Sequence, residues 1–195
     1  MTVFARTAAE VGAVAASGGA ALAVAGDVSR EGDVARLLAE HERAVGPCDL
    51  LVNGAGILAR GPVEALDPVA WRACLEVNLT GAFLCARAVL PGMRARGRGR
   101  IVNVASISAT LGTAGASAYN ASKWGLVGLT KCLAEELRPH GLQALSVSPG
   151  STDTAMLRQT PYQPAMTPAQ VAGVVVYAAL DAPAAMTGAD LQVYG

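Results

Sequence analysis

Tyr119 and Lys123 stand four residues apart in "SAYNASKWG", residues 117–125. On a helix, positions i and i+4 share a face. A free phenol ionises near pH 10 and is a poor acid–base group at neutrality. A nearby ammonium favours the phenolate and lowers that pKa. A tyrosine so tuned protonates a developing alkoxide, or deprotonates an alcohol in the reverse direction. That is the proton chemistry that carbonyl reduction by hydride requires. Helices also offer Tyr/Lys pairs by chance, and a solvated helix face accounts for such a pair. Two more residues bear on the choice. Ser106 ends the apolar run "RIVNVAS", where its hydroxyl can donate to a substrate oxygen. Asn78 interrupts the helical pattern "WRACLEVNLTGAFLCARAVL" and, as a mediocre helix former, would turn a polar amide inward. A buried asparagine satisfied by its neighbours is the plainer reading of that residue.

The elements that must position these residues alternate between strands and helices. "TVFAR" (2–6), "AALAVAGD" (20–27), "CDLLVNGAG" (48–56), "RIVNVAS" (100–106), "LQALSVSPG" (142–150) and "ADLQVYG" (189–195) read as strands. Helices are predicted over 7–17, after Ser29 as a cap, from Pro68 behind the cap Asp67 to "MRARGRGR", over 117–141, and over 167–180 behind Thr167. Strands and helices alternating at this spacing imply right-handed crossovers and a parallel sheet covered on both faces. The expected fold is α/β, doubly wound, with residues 1–195 as a single domain. Such folds hold ligands beyond the carboxyl ends of the strands, here "AR", "GD", "NGAG", "VAS" and "SPG".

Bulk composition excludes several classes. Hydrophobic residues make up 52% of the 195 and charged residues 15%, with zero formal net charge. Such a balance argues against a nucleic-acid or polyanion binder. No uninterrupted apolar run reaches the roughly 18 residues of a membrane span, and no signal-peptide pattern opens the chain. Cys48, Cys74, Cys85 and Cys132 fit no metal spacing, and His41 and His140 lie in polar helix-end contexts. The cysteines are expected as free, buried or half-buried thiols of a cytoplasmic protein, with no metal site.

In type, order and spacing these residues resemble the short-chain dehydrogenases/reductases, of the ketoreductase or 3-oxoacyl-ACP reductase kind, along nearly the whole chain. The resemblance rests on "YNASK", on Ser106 thirteen residues before the tyrosine, on Asn78 in "VNLTGAF", on the "VNGAG" turn, and on "SPG" followed by Thr154. It implies a Rossmann-type sheet and a hydride transfer between a nicotinamide and a carbonyl or secondary alcohol. It implies Tyr119 as general acid, and Lys123 lowering its pKa and bonding the nicotinamide ribose. Ser106 would orient the carbonyl, and Asn78 would hold a water of a proton relay. Asn53, Ala55 and Gly56 would line the adenosine side with Asp27 near the adenine, while Pro149, Gly150 and Thr154 flank the nicotinamide. Gly54 stands where the family usually has a second asparagine, which is expected to loosen the turn. Arg6, following Ala5 where the family can carry an acid, favours NADP(H) over NAD(H).

The family's first strand, T-G-x-x-x-G-x-G turn and first helix have no counterpart in these residues. The expectation is an N-terminally truncated reading, with an in-frame upstream segment that encodes the turn, and a chain idle without its pyrophosphate site. The strand so missing would leave those beginning at Thr2 and Asp49 about 10 Å apart, at roughly 4.8 Å per strand, unless the first slides across. The short lid "GSTDTAMLRQTPYQPAM" suggests a permissive pocket for a small carbonyl or alcohol. "NGAGIL" and "SPGSTDT" also resemble 2,3-dihydro-2,3-dihydroxybenzoate dehydrogenases, enzymes that use NAD. A homo-oligomer, dimer or tetramer, is implied by the family, through Leu126, Leu129, Leu133 and Leu137 or else with these in the core. A non-catalytic remnant or partner subunit is the alternative outside the enzymes.

Overall fold

The computed structural model describes the backbone of all 195 residues and the side chains of all but Glu10. Six strands alternate with helices: β1 (Thr2–Ala5), α1 (Ala8–Ala16), β2 (Leu22–Ala25), α2 (Glu31–Ala44), β3 (Leu50–Asn53), α3 (Pro68–Leu75), α4 (Gly81–Arg96), β4 (Arg100–Val104), α5 (Ser117–Leu137), β5 (Gln143–Pro149), α6 (Pro168–Val176) and β6 (Asp190–Val193). A π-helical turn, Glu76–Thr80, joins α3 to α4, and a second, Tyr177–Asp181, extends α6.

All strand pairs are parallel, as the predicted α/β fold requires, but they form two sheets. β1 pairs with β2 alone, and the larger sheet runs β3-β4-β5-β6. β1 therefore does not slide across to pair with β3. The unpaired edge of β3 leaves Leu50 37% and Val52 42% exposed, on a strand whose composition calls for burial.

Alternation along the central strands builds the core. Ile101 and Ala144 face α4 and α5, where Met93, Leu133, Ala134 and Leu137 close over them. The next residue, Val102, points to the opposite face with Val147, against Ala178 and Val174. Leu126, Leu133 and Leu137 are all buried, and Leu129 packs beside them, so that face of α5 serves the core. The large apolar residues left outside on α4 and α5 are Phe83 and Trp124. Taken as one helical stretch, Pro68–Arg96 is long and apolar enough to cross a bilayer, yet nearly half of its most apolar window is buried within the protein.

Several helix ends follow local chemistry. The Asp67 carboxylate accepts from the Val69 N–H at 2.8 Å ahead of Pro68. Thr167 and Gln170 form a reciprocal capping box on α6. Gly97 (φ 64°) closes α4 in the left-handed region that glycine tolerates. Ser29, expected to cap α2, does not. Its N–H and hydroxyl both donate to Asp27 Oδ1, at 2.9 and 2.7 Å, and Arg30 takes the cap position without a side-chain bond. The aspartate two residues back captures the serine first. Cys132 also departs from expectation, being exposed on the outer side of α5, while the other three thiols are free and at least half-buried.

The contrast between the interior and the open edge of the sheet is testable by urea denaturation. Leu145→Ala, at a fully buried site, is expected to cost about 2–5 kcal/mol. Leu50→Ala at the open edge is expected to cost less than about 1 kcal/mol.

Candidate active site

The strand end after β4 and the first two turns of α5 meet at one place. Ala105 and Ser106 follow β4, and the Ser106 hydroxyl accepts from the Ser108 N–H at 3.1 Å, which starts a short turn, Ile107–Ala109. Tyr119, Asn120, Ser122 and Lys123 follow on α5. Asn120 Nδ2 donates to the Leu111 carbonyl at 2.7 Å and pins the intervening loop to the helix. Ser122 Oγ donates back to the Tyr119 carbonyl at 2.7 Å. Lys123 reaches under the sheet end, 4% exposed, and its Nζ donates to the Val104 carbonyl at 2.9 Å. The same Nζ lies 5.7 Å from the centre of the Tyr119 ring.

Asn78 sits inside the π turn and is 1% exposed. Its amide hydrogens are spread over Ile57 O (2.9 Å), Ser122 Oγ (2.9 Å) and Cys74 Sγ (3.4 Å), and its Oδ1 accepts from the Ile57 N–H at 2.8 Å. The helix thus breaks where the sequence suggested. The Asn78 side chain is bonded to Ile57, Ser122 and Cys74, and its Oδ1 accepts one of the two bonds it can take. Gly56 lies next to it: a methyl group there would come 3.6 Å from Asn78 Oδ1 and 3.7 Å from Lys123 Nζ. That leaves a narrow space at the glycine turn against the buried amine.

A cleft of about 1020 Å³ opens over these groups. Ser106, Tyr119 and Lys123 line it together with Gly54, Gly56, Pro149, Gly150 and Thr154. Thr154 Oγ1 donates to the Thr152 carbonyl and accepts from the Leu157 N–H, so it shapes the turn at the cleft's mouth. Asn53 and Ala55 do not line this cleft and border a separate small void with Asn78. The Asn53 amide is committed to the fold, donating to Asn103 Oδ1 at 2.9 Å. Asn103 in turn donates to Thr130 Oγ1 at 2.8 Å. Arg6 and Asp27 lie at the ends of the smaller sheet, away from the cleft lining, with Arg6 exposed. Hydrogen bonds from Ser29 hold the Asp27 carboxyl below its ordinary pKa.

Burial governs the electrostatics. Desolvation raises the Tyr119 pKa above its ordinary value, and the Ser106 hydroxyl beside it opposes that rise. Desolvation lowers the Lys123 pKa to about 8. The expected lowering of the phenol by the ammonium is not found here: burial sets the direction, and the group that opposes it is Ser106. Burial works against the charged form of each group, because either charge would sit out of water. Ser122, Cys74 and Asn120 were not singled out from the sequence. The readable signal was three polar residues, Asn120, Ser122 and Thr130, buried within one apolar helix.

Lysine burial has a sign that can be checked. Below pH 8 the residue is charged in both folded and unfolded chains, and the full cost of burying the charge is borne. Between pH 8 and 10.5 the unfolded chain keeps a proton that the folded chain has released, so folding gains as pH rises. Relative to Lys123→Met, the wild-type chain should gain about 2 kcal/mol of stability between about pH 8 and 10, read from urea midpoints. A flat difference would contradict a buried, depressed lysine.

Similarity to known proteins agrees with this geometry. The family model described as short chain dehydrogenase matches residues 1–165. A trans-4-hydroxycyclohexanecarboxylate dehydrogenase of Sinomonas cyclohexanicum is 40% identical over 157 residues, 77% of this chain and 60% of that protein. An acetoacetyl-CoA reductase of Allochromatium vinosum is 35% identical over 181 residues, 87% of this chain and 74% of that protein. The crystal structure of a single-residue variant of actinorhodin polyketide ketoreductase with NADPH superposes with a TM-score of 0.93 at 32% identity, covering 100% of this chain and 85% of that one. The chain spans about three fifths of the first of these curated relatives. With a family model that matches most of the chain, relatives above 30% identity and a closely superposing fold, the chain belongs to the short-chain dehydrogenase family.

Proposed function

We propose that the cleft is the active site of an NAD(P)-dependent oxidoreductase that interconverts a carbonyl and a secondary alcohol. The observation that carries this reading is the opening of Tyr119, Ser106 and Lys123 onto one cleft with the glycine turn and the Pro149-Gly150 loop. The three relatives or neighbours named above are a hydroxycyclohexanecarboxylate dehydrogenase, an acetoacetyl-CoA reductase and a polyketide ketoreductase, which supports the reaction class.

The nicotinamide end of a dinucleotide fits these residues. Gly56 and Gly150 leave room beside the amine and the β6 backbone, and Thr154, Pro149 and Lys123 stand where the ring and ribose would be held. When bound, the group supplies or accepts the hydride. The protein's own part is proton transfer and orientation. Ser106 donates its hydroxyl hydrogen to the carbonyl oxygen and fixes it beside the phenol. Tyr119, kept protonated by burial, delivers its proton to that oxygen as negative charge develops there. Lys123, poised near pH 8, is charged at neutrality and favours the phenolate left behind. Asn78 holds Ser122, and through it the first turns of α5, against the Ile57 backbone.

Arg6 supports NADP(H) over NAD(H), joined by Arg30, since both lie near enough to Asp27 to act on its carboxylate.

Turnover of a panel of ketones, with NADPH in excess and a folded-state control by circular dichroism, tests the main reading. Tyr119→Phe is expected to lower kcat by about 10²–10⁴-fold. Retained turnover in that variant would remove the tyrosine from the mechanism.

A further inference from the structure

The cleft that holds Tyr119 has an apolar lining, contributed by Leu58, Leu111, Met156, Leu157, Val171 and Val175 among others. Two charged side chains line it among the described residues, Lys123 and Arg60. Lys123 is engaged with the Val104 carbonyl beneath the phenol. Arg60 is half-buried, and among the described residues it makes one hydrogen bond, from Nη2 to the Ala114 carbonyl at 3.4 Å. That is long for a charged donor, for which roughly 2.7–2.9 Å is usual. Among the described residues no carboxylate pairs with Arg60, whereas Arg158, nearby in the chain segment over the cleft, is paired with Asp153 at 3.3 Å.

The arginine is also well placed by its backbone. The next residue, Gly61, donates its N–H to the Gly115 carbonyl at 2.9 Å. This bond ties the segment after β3 to the loop that leads into α5 and Tyr119. A guanidinium on a fixed backbone, lining an apolar cavity and, among the described residues, using one of its five N–H donors, suits a planar anion. A partly exposed guanidinium at the rim of an apolar cavity keeps its charge in water when the site is empty and can exchange that water for an anion carried by the bound molecule.

We propose that Arg60 is a specificity-determining residue that binds a carboxylate of the substrate in a two-point contact. The substrate class is then a ketone or secondary alcohol on an apolar skeleton that carries a carboxylate away from the reacting carbon. This inference rests on the proposed site and names what enters it.

The test is ligand-observed and protein-observed NMR on the 195-residue protein labelled at its methionine methyl groups, where Met156 reports the cleft. The probes are 4-oxocyclohexanecarboxylate and its neutral isostere 4-oxocyclohexanecarboxamide. The proposal expects both to shift the Met156 methyl, with the acid binding about tenfold tighter or more, a ratio worth ~1.4 kcal/mol. Arg60→Gln should erase the difference by weakening the acid alone, and Arg60→Lys should restore part of it. Equal binding by the wild type, or a preference that survives Arg60→Gln, overturns the role of Arg60 and leaves the site reading standing. No shift at Met156 with either compound overturns both.

Discussion

The site depends on the way one buried amide is satisfied. Asn78 stands in a widened helical turn, and its side chain spans three segments: the Ile57 backbone after β3, Cys74 one turn earlier, and Ser122 on α5. An orphaned amide at this depth would cost about 1–3 kcal/mol, so the three segments are held in one register. Ser122 adjoins Lys123, and its hydroxyl also holds the Tyr119 carbonyl. Tyr119 and Lys123 are therefore positioned from behind, by polar contacts outside the cleft lining. The π turn is the local distortion that lets an asparagine inside a helix turn its amide toward two other elements at once.

Burial then sets the chemistry in a direction opposite to simple charge pairing. A lysine beside a tyrosine in water lowers the phenol's pKa. Removed from water, each group resists its own charge, and the phenol stays protonated. A protonated phenol next to a serine hydroxyl is a ready donor, which suits reduction. Ser106 does two things in this arrangement: it accepts the Ser108 N–H that shapes the strand end, and it moderates the tyrosine.

Much of this could be read from residue types. The alternation of apolar runs with helical patterns pointed to six strands and a parallel sheet, because period-two and period-3.6 patterns are strong local signals. Asn78 was visible as a break, since an amide in an otherwise apolar helix needs a partner. The partner was not visible: Ile57 and Ser122 lie 21 and 44 residues away. Ser29 looked like a cap because serine before a helix usually is one, and the competing carboxylate of Asp27 was within reach only once the turn had formed. The sign of the tyrosine shift was hidden for a similar reason, as depth of burial is a property of the fold. Arg60 carried no motif and acquired meaning only from the apolar lining around it.

The open edge of β3 has a consequence for handling the protein. Leu50 and Val52 present apolar side chains beside backbone donors and acceptors that no neighbouring strand takes up. An extended edge of that composition is a template for pairing with another chain. The colloidal stability of the protein should therefore be governed by this short strand more than by its zero net charge. A lysine at either position would act as a gatekeeper, blunting growth of intermolecular sheet.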